Sequence, residues 1–451
     1  MEPGCLNHQT NWFESKKMTQ KIAVFWFRRD LRITDNAGLF HALKSGLPVL
    51  PVFIFDTEIL DKLNSKNDAR VTFIYNQLQK INSEIEKHGS SLKVLNGRPL
   101  ESFQQLSGEF EIAAVYTNSD YEPYAIQRDN EIEILLKQKG IVFHTFKDHL
   151  IFEHNEVLKD DGTPYTVFTP YSKKWKLLLG NNEISEFPSQ NVLHNLIKTK
   201  PFHFPEIGEI GFVKSQIQVP EMNISEQLIK NYAEKRDLPA LDATSKLGVY
   251  LRFGTISIRE VTRIALIFSE VFLNELIWRN FFIQILRHFP HVENKAFKPK
   301  YDFIQWRNNE KEFEAWCRGE TGYPMVDAGM REMNETGFMH NRVRMVTASF
   351  LTKHLLIDWR WGEAWFAEKL LDFDLASNNG NWQWAAGCGC DAAPYFRVFN
   401  PEAQQQKFDP HAKYILKWVR EYGTVKYPQP IVEHAFARER VLKVYKKALI
   451  Q

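Results

Sequence analysis

Short apolar runs alternate with segments of helical spacing over the first 150 residues of the chain. The apolar runs lie at 22–27, 49–55, 92–95, 112–117 and 141–146. Between them, apolar residues recur at helical intervals near 36–45, 69–88, 100–107 and 124–139. Strands that alternate with helices are typical of a doubly wound parallel sheet. The pattern therefore predicts an α/β domain over residues 21–150.

The pattern changes after residue 150. Residues 151–223 contain prolines and lysines without a sustained period, and we interpret them as a long interdomain connector. Helical spacing then continues to the end, which predicts a mainly helical, all-α domain over residues 224–451. Its helical segments lie near 225–235, 257–287, 310–318, 325–335, 339–357, 362–371 and 431–449. The polar residues 1–20 precede the first apolar run, and we interpret them as a disordered tail.

Composition and charge exclude several classes of protein. The chain has 57 Lys and Arg residues against 55 Asp and Glu residues, so a nucleic-acid site must be a local basic patch. No apolar run approaches the length of a membrane span, and the N-terminus lacks a signal-peptide core, which predicts a soluble cytoplasmic protein. The cysteines have no paired metal-binding spacing, so we expect free thiols and no metal site. These cysteines are Cys5, Cys317, Cys388 and Cys390.

Several common catalytic motifs are missing from the sequence. It has no G-x-G-x-x-G after the first apolar run, no G-x-x-x-x-G-K loop, no H-E-x-x-H and no G-x-S-x-G. Dinucleotide binding through the usual Rossmann loop and the common hydrolytic mechanisms are therefore not supported. Nine of the twelve tryptophans follow residue 270. This concentration suits core packing, a stacked aromatic ligand or electron transfer.

The segment 271–289 is apolar almost throughout, which predicts an interior helix whose few polar residues require an explanation. One face of this helix carries four residues at helical spacing, namely Glu275, Trp278, Arg279 and Phe282. A carboxylate, a guanidinium and two aromatic rings can hold a planar heterocycle by stacking and edge hydrogen bonds. Alternatively, Glu275 and Arg279 form an ion pair along the helix, worth about 0.2–0.5 kcal/mol. Composition alone leaves both interpretations open.

Two further segments carry polar groups suited to binding. Residues 339–356 predict a helix with a common face formed by Asn341, Arg344, Met345 and Ala348. On this face Asn341 can read the edge of a base or flavin, or it can cap the helix start. The segment 372–384 combines two carboxylates, consecutive amides, a glycine and two tryptophans, which is not expected of one regular helix. This segment can be interpreted as a capped turn or as the polar rim of a cofactor site.

A local excess of positive charge lies within residues 279–300. Its cations, opposed by Glu293 alone, are Arg279, Arg287, Lys295, Lys298 and Lys300. Positive charge interleaved with aromatic residues is expected where a protein meets phosphates and unstacked bases. A solvated lysine-rich loop is the commoner cause of such a pattern.

Taken together, these segments resemble the DNA photolyase and cryptochrome family, with the greatest similarity to the class I dimer photolyases. The resemblance is carried by WFRRDLRITDN (26–36), LNELIWRNFF (273–282), GYPMVDAGMREMNETGFMHNRVRM (322–345) and DFDLASNNGNWQWAAGCGC (372–390). Further motifs lie between and beyond these, in the same order along the chain. The similarity therefore covers nearly the whole sequence after residue 20.

The resemblance implies a light-driven enzyme that repairs cyclobutane pyrimidine dimers. A catalytic FAD in the helical domain would donate an electron to a dimer extruded from ultraviolet-damaged DNA. The resemblance also implies a monomer without a membrane or an obligate protein partner. A cryptochrome-type photoreceptor and a (6-4) photolyase are the alternatives. The retained Glu275 and the short C-terminal extension favour repair.

The same resemblance assigns roles to individual residues. FAD-binding positions are Tyr232, Thr244, Ser245, Lys246, Leu247, Gly248, Arg344, Asp372, Phe373, Asp374 and Asn378. DNA-binding and lesion-binding positions are Arg236, Glu275, Trp278, Arg279, Asn341, Arg342, Trp384 and Gln404. Glu275, Asn341, Met345 and Asn378 match catalytic positions. Trp306, Trp359 and Trp382 match a tryptophan relay that carries electrons from the surface to the flavin.

A second, light-harvesting chromophore is the least defined of these expectations. Relatives that bind a folate antenna carry an acidic residue in the segment that matches 121–129, and here Ala125 occupies that position. A folate, a deazaflavin, another flavin and the absence of an antenna all remain open.

Overall fold

The computed structural model describes residues 18–180 and 184–450. Most of the tail predicted over 1–20, together with Cys5, lies outside the described residues. The first strand begins at Met18, so residues 18–20 belong to the sheet and not to the tail.

A five-stranded parallel sheet forms the N-terminal region, in the order β3-β2-β1-β4-β5. Its strands are β1 (Met18–Phe27), β2 (Val49–Asp56), β3 (Lys93–Gly97), β4 (Phe110–Asn118) and β5 (Val142–Phe146). Its helices are α1 (Ala37–Leu43), α2 (Thr57–Leu60), α3 (Ala69–Glu86), α4 (Pro99–Glu109) and α5 (Pro123–Gln138). Every residue of β2 is buried, as expected for an inner strand covered on both faces. The predicted doubly wound sheet is confirmed.

The rest of the chain is helical, as predicted. The helices that precede the long apolar segment are α6 (Phe168–Leu179), α7 (Glu226–Lys230), α8 (Tyr232–Lys235), α9 (Gly248–Arg252) and α10 (Ile258–Phe268). They are followed by α11 (Glu270–His288), α12 (Glu310–Arg318), α13 (Pro324–Thr336), α14 (Asn341–Ser349) and α15 (Trp359–Lys369). The last helices are α16 (Leu375–Ala386), α17 (Pro401–Phe408), α18 (Lys413–Trp418) and α19 (His434–Ile450). Short 3₁₀ turns cover Ser189–Asn195, Pro290–Glu293 and Pro299–Phe303, and a π-helical turn at Phe350–His354 extends α14.

The structure corrects two predicted helical boundaries. The segment predicted as one helix over 257–287 is two helices, because the side chain of Ser269 accepts a hydrogen bond from the backbone N–H of Phe272 (3.3 Å) and starts α11. The segment 372–384 is mostly helical, contrary to the sequence-based expectation. There Asp374 caps α16 by accepting a hydrogen bond from the backbone N–H of Ser377 (3.2 Å).

Helix α6 lies within the range interpreted as a connector. Its Tyr171 and Trp175 are buried in the same apolar cluster as the residues of α11. The indole N–H of Trp175 donates to Asn280 of α11 (3.2 Å). This part of the connector therefore contributes to the helical core.

The loop after β1 joins the sheet to the helical region. The backbone N–H of Leu31 donates to the carbonyl oxygen of Phe253 (3.0 Å). At Gly254, which has φ +61°, an added Cβ would lie 2.1 Å from the carbonyl oxygen of Arg29. Only glycine permits this close approach of the two backbones.

The cysteines, metal ligands and membrane-spanning helices can be compared with the expectations from the sequence. Cys317, Cys388 and Cys390 are buried free thiols, as predicted. Over residues 18–180 and 184–450, no group of three or more His, Cys, Asp or Glu side chains is arranged to hold a metal ion. Among the helices of these residues, none is long and apolar enough to cross a membrane.

Candidate functional site

A cavity of about 200 Å³ lies within the helical region, between α9, α11, α14, α15 and α16. Many of the predicted site residues line it: Gly248, Arg279, Asn341, Arg344, Met345, Asp372, Phe373, Asp374, Asn378, Trp382 and Trp384. The other lining residues are Leu251, Arg252, Ala348, Phe366, Leu370, Ser377, Asn381 and Ala385. Positions predicted to bind a flavin and positions predicted to bind a lesion therefore meet in one cavity.

The common face predicted for α14 is confirmed. Its members, Asn341, Arg344, Met345 and Ala348, all line the cavity. The helix is capped by His340, whose ring Nδ1 accepts a hydrogen bond from the backbone N–H of Arg342 (3.2 Å). The capping alternative for Asn341 is therefore wrong.

Asp372 and Arg344 form a two-point ion pair at the wall of the cavity. Both terminal nitrogens of Arg344 donate to the Asp372 carboxylate, at 3.1 and 2.9 Å. The Nε of Arg344 donates to the carbonyl oxygen of Met339 (2.7 Å), which fixes the plane of the guanidinium. A Cβ on Gly248 would lie 2.6 Å from the Asp372 carboxylate, so α9 approaches this pair through a glycine.

Asp374 makes a different set of contacts. Its carboxylate accepts hydrogen bonds from Tyr121 and from Arg29 (2.8 Å), both in the N-terminal region, and Arg252 lies 3.8 Å away. Burial by itself raises the pKa of Asp374, but Arg29 and Arg252 outweigh burial and hold it well below its usual range. Asp374 is therefore ionised at neutral pH and ties α16 to the sheet region.

Glu275 does not pair with Arg279. Glu275 forms an ion pair with Arg236, which follows α8, whereas Arg279 donates to the carbonyl oxygen of His149 (2.7 Å). The interpretation of an ion pair along α11 is therefore wrong. Burial raises the pKa of Glu275, and Arg236 opposes this effect. Of the predicted face of α11, only Arg279 lines the cavity.

The remaining predicted DNA-binding residues lie outside the cavity lining. Trp278 stacks on Phe168 with ring centroids 3.7 Å apart and planes 3° from parallel. Arg342 forms an ion pair with Asp237 (2.8 Å). Gln404 lies on α17 and is partly exposed.

The segment predicted to hold the FAD phosphates reaches the cavity only at Gly248. Lys246 has φ +54° and pairs with Asp242 (2.7 Å), outside the cavity. The carbonyl oxygen of Ser245 accepts a hydrogen bond from Asn223 (2.9 Å). Tyr232, Thr244, Ser245, Lys246 and Leu247 are absent from the cavity lining.

The predicted tryptophan relay lies in one aromatic core. Trp359 and Trp382 are buried in the same apolar cluster, and Trp306 packs against that cluster while remaining partly exposed. At Gly362 an added Cβ would lie 2.1 Å from the Trp382 ring, so α15 lies directly against this indole. Among the described residues, the buried Nε1 of Trp382 has no hydrogen-bond partner.

The partly buried carboxyl group of Glu363 lies beside Asn378. The side-chain amide of Asn378 donates to the backbone carbonyl oxygen of Glu363 (3.1 Å), and Asn379 donates to the Glu363 carboxyl (3.0 Å). Burial raises the pKa of Glu363 to about 8. This group is therefore largely protonated at neutral pH.

The donor set fits a flavin. Arg344 and Asn378 offer N–H donors, Asp372 offers a carboxylate, and Phe366 and Trp382 offer apolar walls. A planar ring system with one polar edge requires this combination of aromatic walls and converging hydrogen-bonding groups.

Some lining residues were missed by the sequence analysis although a signal existed. The cavity-lining residues of α16 and its cap form one stripe at helical spacing: Asp374, Ser377, Asn378, Asn381, Trp382 and Ala385. Ser377, Asn381 and Ala385 were not among the predicted site residues, because this segment was not expected to form a helix. Leu251 and Arg252 follow the predicted Gly248 by three and four residues and lie on the same short helix.

Two other openings adjoin the sheet region. A cavity of about 410 Å³ lies between α5 and the end of α11 and is lined by Tyr121, Ile126 and Arg287, among others. A groove of about 910 Å³ runs between the α2–α3 segment and helices α12, α13 and α15. Ala125, at the position discussed for folate, is buried on α5.

Comparisons with known proteins agree with this geometry. Residues 23–189 match the family model of DNA photolyase, and residues 272–426 match that of the FAD binding domain of DNA photolyase. The deoxyribodipyrimidine photo-lyase of Agrobacterium fabrum is 35% identical over 471 residues, which cover 94% of this chain and 97% of the relative.

Solved structures give the same result. A bacterial class III photolyase from Agrobacterium tumefaciens superposes with a TM-score of 0.83 and 33% identity, over 98% of this chain and 100% of its own. An archaeal photolyase from Sulfolobus tokodaii with two FAD molecules has a TM-score of 0.81 and 35% identity, over 94% and 99% of the two chains. The chain therefore belongs to the DNA photolyase family, and FAD is the cofactor of its helical region.

Proposed function

We propose that this protein is a deoxyribodipyrimidine photo-lyase of class I type, which splits cyclobutane pyrimidine dimers in ultraviolet-damaged DNA under blue light. The observation that supports it most directly is the single cavity shared by the flavin-side pair Asp372 and Arg344 and the lesion-side residues Asn341, Met345 and Trp384. When bound and reduced, FAD supplies a light-excited electron donor for breaking the dimer bonds. Photolyases are among the enzymes that extrude their target base, because its reactive bonds are inaccessible within the stack.

The flavin-side residues orient the cofactor in this proposal. Arg344, Asp372 and Asn378 present hydrogen-bonding groups to its polar edge, and Phe373 and Trp382 supply apolar walls. Asp374 holds α16, and with it Asn378, against the sheet region. The proposed phosphate-binding positions lie beyond the cavity lining and are Tyr232, Thr244, Ser245, Lys246 and Leu247. Gly248 joins this segment to the cavity.

The lesion-side residues receive the extruded dimer. Trp384 and Met345 form its walls, and Asn341, which is exposed at the start of α14, hydrogen-bonds its bases. Glu275, Trp278 and Arg279 approach from α11. The proposed DNA-backbone contacts are Arg236, Arg342 and Gln404.

Trp382, Trp359 and Trp306 form the proposed electron relay. Trp382 lines the cavity, Trp359 is buried in the same apolar cluster, and Trp306 packs against that cluster and is partly exposed, which supports a path from the flavin side to the surface. The relay restores the reduced cofactor and is not required in every repair cycle.

A second flavin in the groove of about 910 Å³ is the proposed antenna. Aromatic side chains at the groove include Phe313, Trp361 and Trp365, which suit a stacked chromophore. Phe373 and Arg252 line both the groove and the FAD cavity, so the two chromophores would be separated by a thin wall. The smaller cavity beside Ala125 lacks the acidic residue expected at that position for folate. Flavin content above one molecule per chain after reconstitution with excess FAD supports this assignment, and a maximum of one contradicts it.

The proposal includes a division into a sheet domain over 21–150, a connector over 151–223 and a catalytic domain over 224–451. It also includes a cytoplasmic location and action as a monomer. The buried free thiols support a reducing compartment. Sedimentation of the FAD-loaded protein, alone and with damaged oligonucleotide, measures the oligomeric state directly.

The deciding experiment is repair of ultraviolet-irradiated oligothymidine by the chemically reduced, FAD-loaded protein. Recovery of thymine absorbance under blue light, with none in the dark, is the expected result. No recovery from protein that holds reduced FAD would reject dimer repair and favour a photoreceptor or a (6-4) enzyme. The Trp382→Phe variant is the matched control for the relay, since it should lose photoreduction of oxidised FAD while retaining repair after chemical reduction.

A further inference from the structure

Two adjacent residues after α8, one basic and one acidic, each form an ion pair with another helix. Arg236 pairs with Glu275 of α11, and the next residue, Asp237, pairs with Arg342 of α14 (2.8 Å). The dipeptide therefore connects two of the helices that carry proposed lesion-binding residues, α11 and α14. In each pair one member is a proposed DNA-backbone arginine and the other is a carboxylate.

Both pairs lie beside the cavity, and their side chains keep between 17% and 39% of their exposure. Arg279, one turn after Glu275 on α11, lines the cavity. Arg342 reaches to 3.6 Å from the sulfur of Met345, which also lines it. The side chains of Arg236 and Glu275 are 31% and 34% exposed, so a phosphate can approach them.

A phosphate that binds Arg236 must compete with Glu275. If Arg236 turns to the phosphate, the partly buried Glu275 carboxylate loses its cation, and burial then disfavours its charged form. An intact duplex offers nothing to replace Arg236, since its base N–H groups are paired within the helix. An extruded pyrimidine dimer presents unpaired ring N–H donors, which can satisfy the carboxylate. Water reaches the partly exposed Glu275 in either complex, so a lesion compensates the loss of Arg236 better than an intact duplex does.

We propose that the Arg236–Glu275 ion pair is a selectivity latch, in which Arg236 contacts DNA phosphate preferentially when Glu275 receives replacement donors from an extruded base. The inference rests on the proposed function, because it assumes that a lesion enters the cavity. It assigns Glu275 a second role, as the group that withholds Arg236 from undamaged DNA.

The neighbouring pair provides a matched control. Asp237 and Glu275 are similarly exposed, at 39% and 34%, and neither lines the cavity. Glu275 lies on α11 one turn before the cavity-lining Arg279, whereas Asp237 follows α8, so we expect an extruded base to reach Glu275 and not Asp237. The release of Asp237 therefore does not depend on a lesion. Asp237→Asn and Glu275→Gln each remove one negative charge near the same DNA, but only the second removes the proposed latch.

The test is dark equilibrium binding of the FAD-loaded full chain to two labelled duplexes that differ only in one thymine dimer. For Glu275→Gln we expect tighter binding to the undamaged duplex, with a logarithmic salt slope steeper by about 0.9, the value for one added phosphate contact. The preference for the damaged duplex should fall at least tenfold. For Asp237→Asn we expect tighter binding to both duplexes and a preference within twofold of the wild type.

Other outcomes overturn the latch. If Glu275→Gln weakens binding to the damaged duplex while the undamaged affinity and salt slope stay constant, Glu275 contacts the lesion without restraining Arg236. An equal loss of preference in Asp237→Asn would indicate a general charge effect. FAD content and circular dichroism confirm that each variant is folded. The preference of the wild type for the damaged duplex and its light-dependent repair are measured first. If both are absent, the proposed function and the latch are rejected together. If both are present and Glu275→Gln keeps the wild-type preference for the damaged duplex, the latch alone is rejected.

Discussion

The two acidic residues at the margin of the cavity, Asp372 and Asp374, are separated by one residue but join different regions of the molecule. Asp372 pairs with Arg344 inside the helical region, and both side chains retain part of their exposure. Asp374 pairs with Arg29 of the sheet region and is almost fully buried. The same short motif therefore supplies one carboxylate that faces the cofactor cavity and one that holds the two regions together.

The two carboxylates differ in the surroundings of the arginine that would remain if each were removed. Removing Asp374 leaves the nearly buried Arg29 with only Asp120 and Glu122 as ion-pair partners, and weaker neutralisation of a buried charge is costly. Removing Asp372 leaves an Arg344 that still donates to Met339 and that solvent can reach. Stability should therefore depend on Asp374, and cofactor binding on Asp372.

The largest expected effect is on the stability of the Asp374→Asn variant. We expect the free energy of unfolding to fall by about 1.5–3 kcal/mol, the usual loss for a hydrogen bond to a charged group, because Arg29 keeps Asp120 and Glu122 as acidic partners. Urea unfolding of the FAD-free protein, followed by circular dichroism, measures it. Asp372→Asn is the matched control and should lose about 1 kcal/mol or less. Equal losses in the two variants would contradict the comparison.

Cofactor affinity should show the opposite order. Asp372→Asn removes the anion that fixes the Arg344 guanidinium, so we expect FAD to bind about 10- to 100-fold more weakly, as for the loss of one hydrogen bond to a charged group. Titration of the FAD-free variant with FAD, followed by flavin fluorescence, gives the dissociation constant. Unchanged affinity would show that Arg344 is positioned without Asp372.

At acid pH the contributions of Asp374 and Asp372 to the free energy of unfolding should also differ, but by a smaller amount. The pKa of Asp374 is lower in the folded protein than its value of about 3.9 in an unfolded chain. Its contribution to stability is therefore present above about pH 4 and is lost as the pH falls below that value toward the folded pKa. Between pH 5 and pH 3, wild type and Asp372→Asn should lose more stability than Asp374→Asn. Parallel curves for all three proteins would contradict this role.

The smallest expected effect is at Gly248. In Gly248→Ala the new Cβ would lie 2.6 Å from the Asp372 carboxylate, so Asp372 must shift away from α9. We expect FAD affinity to fall a few-fold while the free energy of unfolding changes by less than about 1 kcal/mol. The same FAD titration measures it. An effect as large as that of Asp372→Asn would indicate that Gly248 itself contacts the cofactor.

Much of the fold could be predicted from periodicity. The five strands and the common face of α14 follow from apolar spacing, which is a local property of the chain. Helix α16 was missed because its asparagines and glycine have low helix propensity. In the structure, the cap at Asp374 and the packing of Gly380 against the Phe282 ring outweigh that propensity.

The sequence alone therefore determined the order of strands and helices along the chain and, through family motifs, many of the residues that line the cavity. Only the tertiary structure decided their ionic partners. Glu275 pairs with Arg236 and not with Arg279 one turn away, and Asp374 pairs with Arg29, which is 345 positions distant along the chain. The physical reason is that helical spacing brings side chains to one face, whereas the partner of a charge depends on which segments fold against that face and exclude water from it.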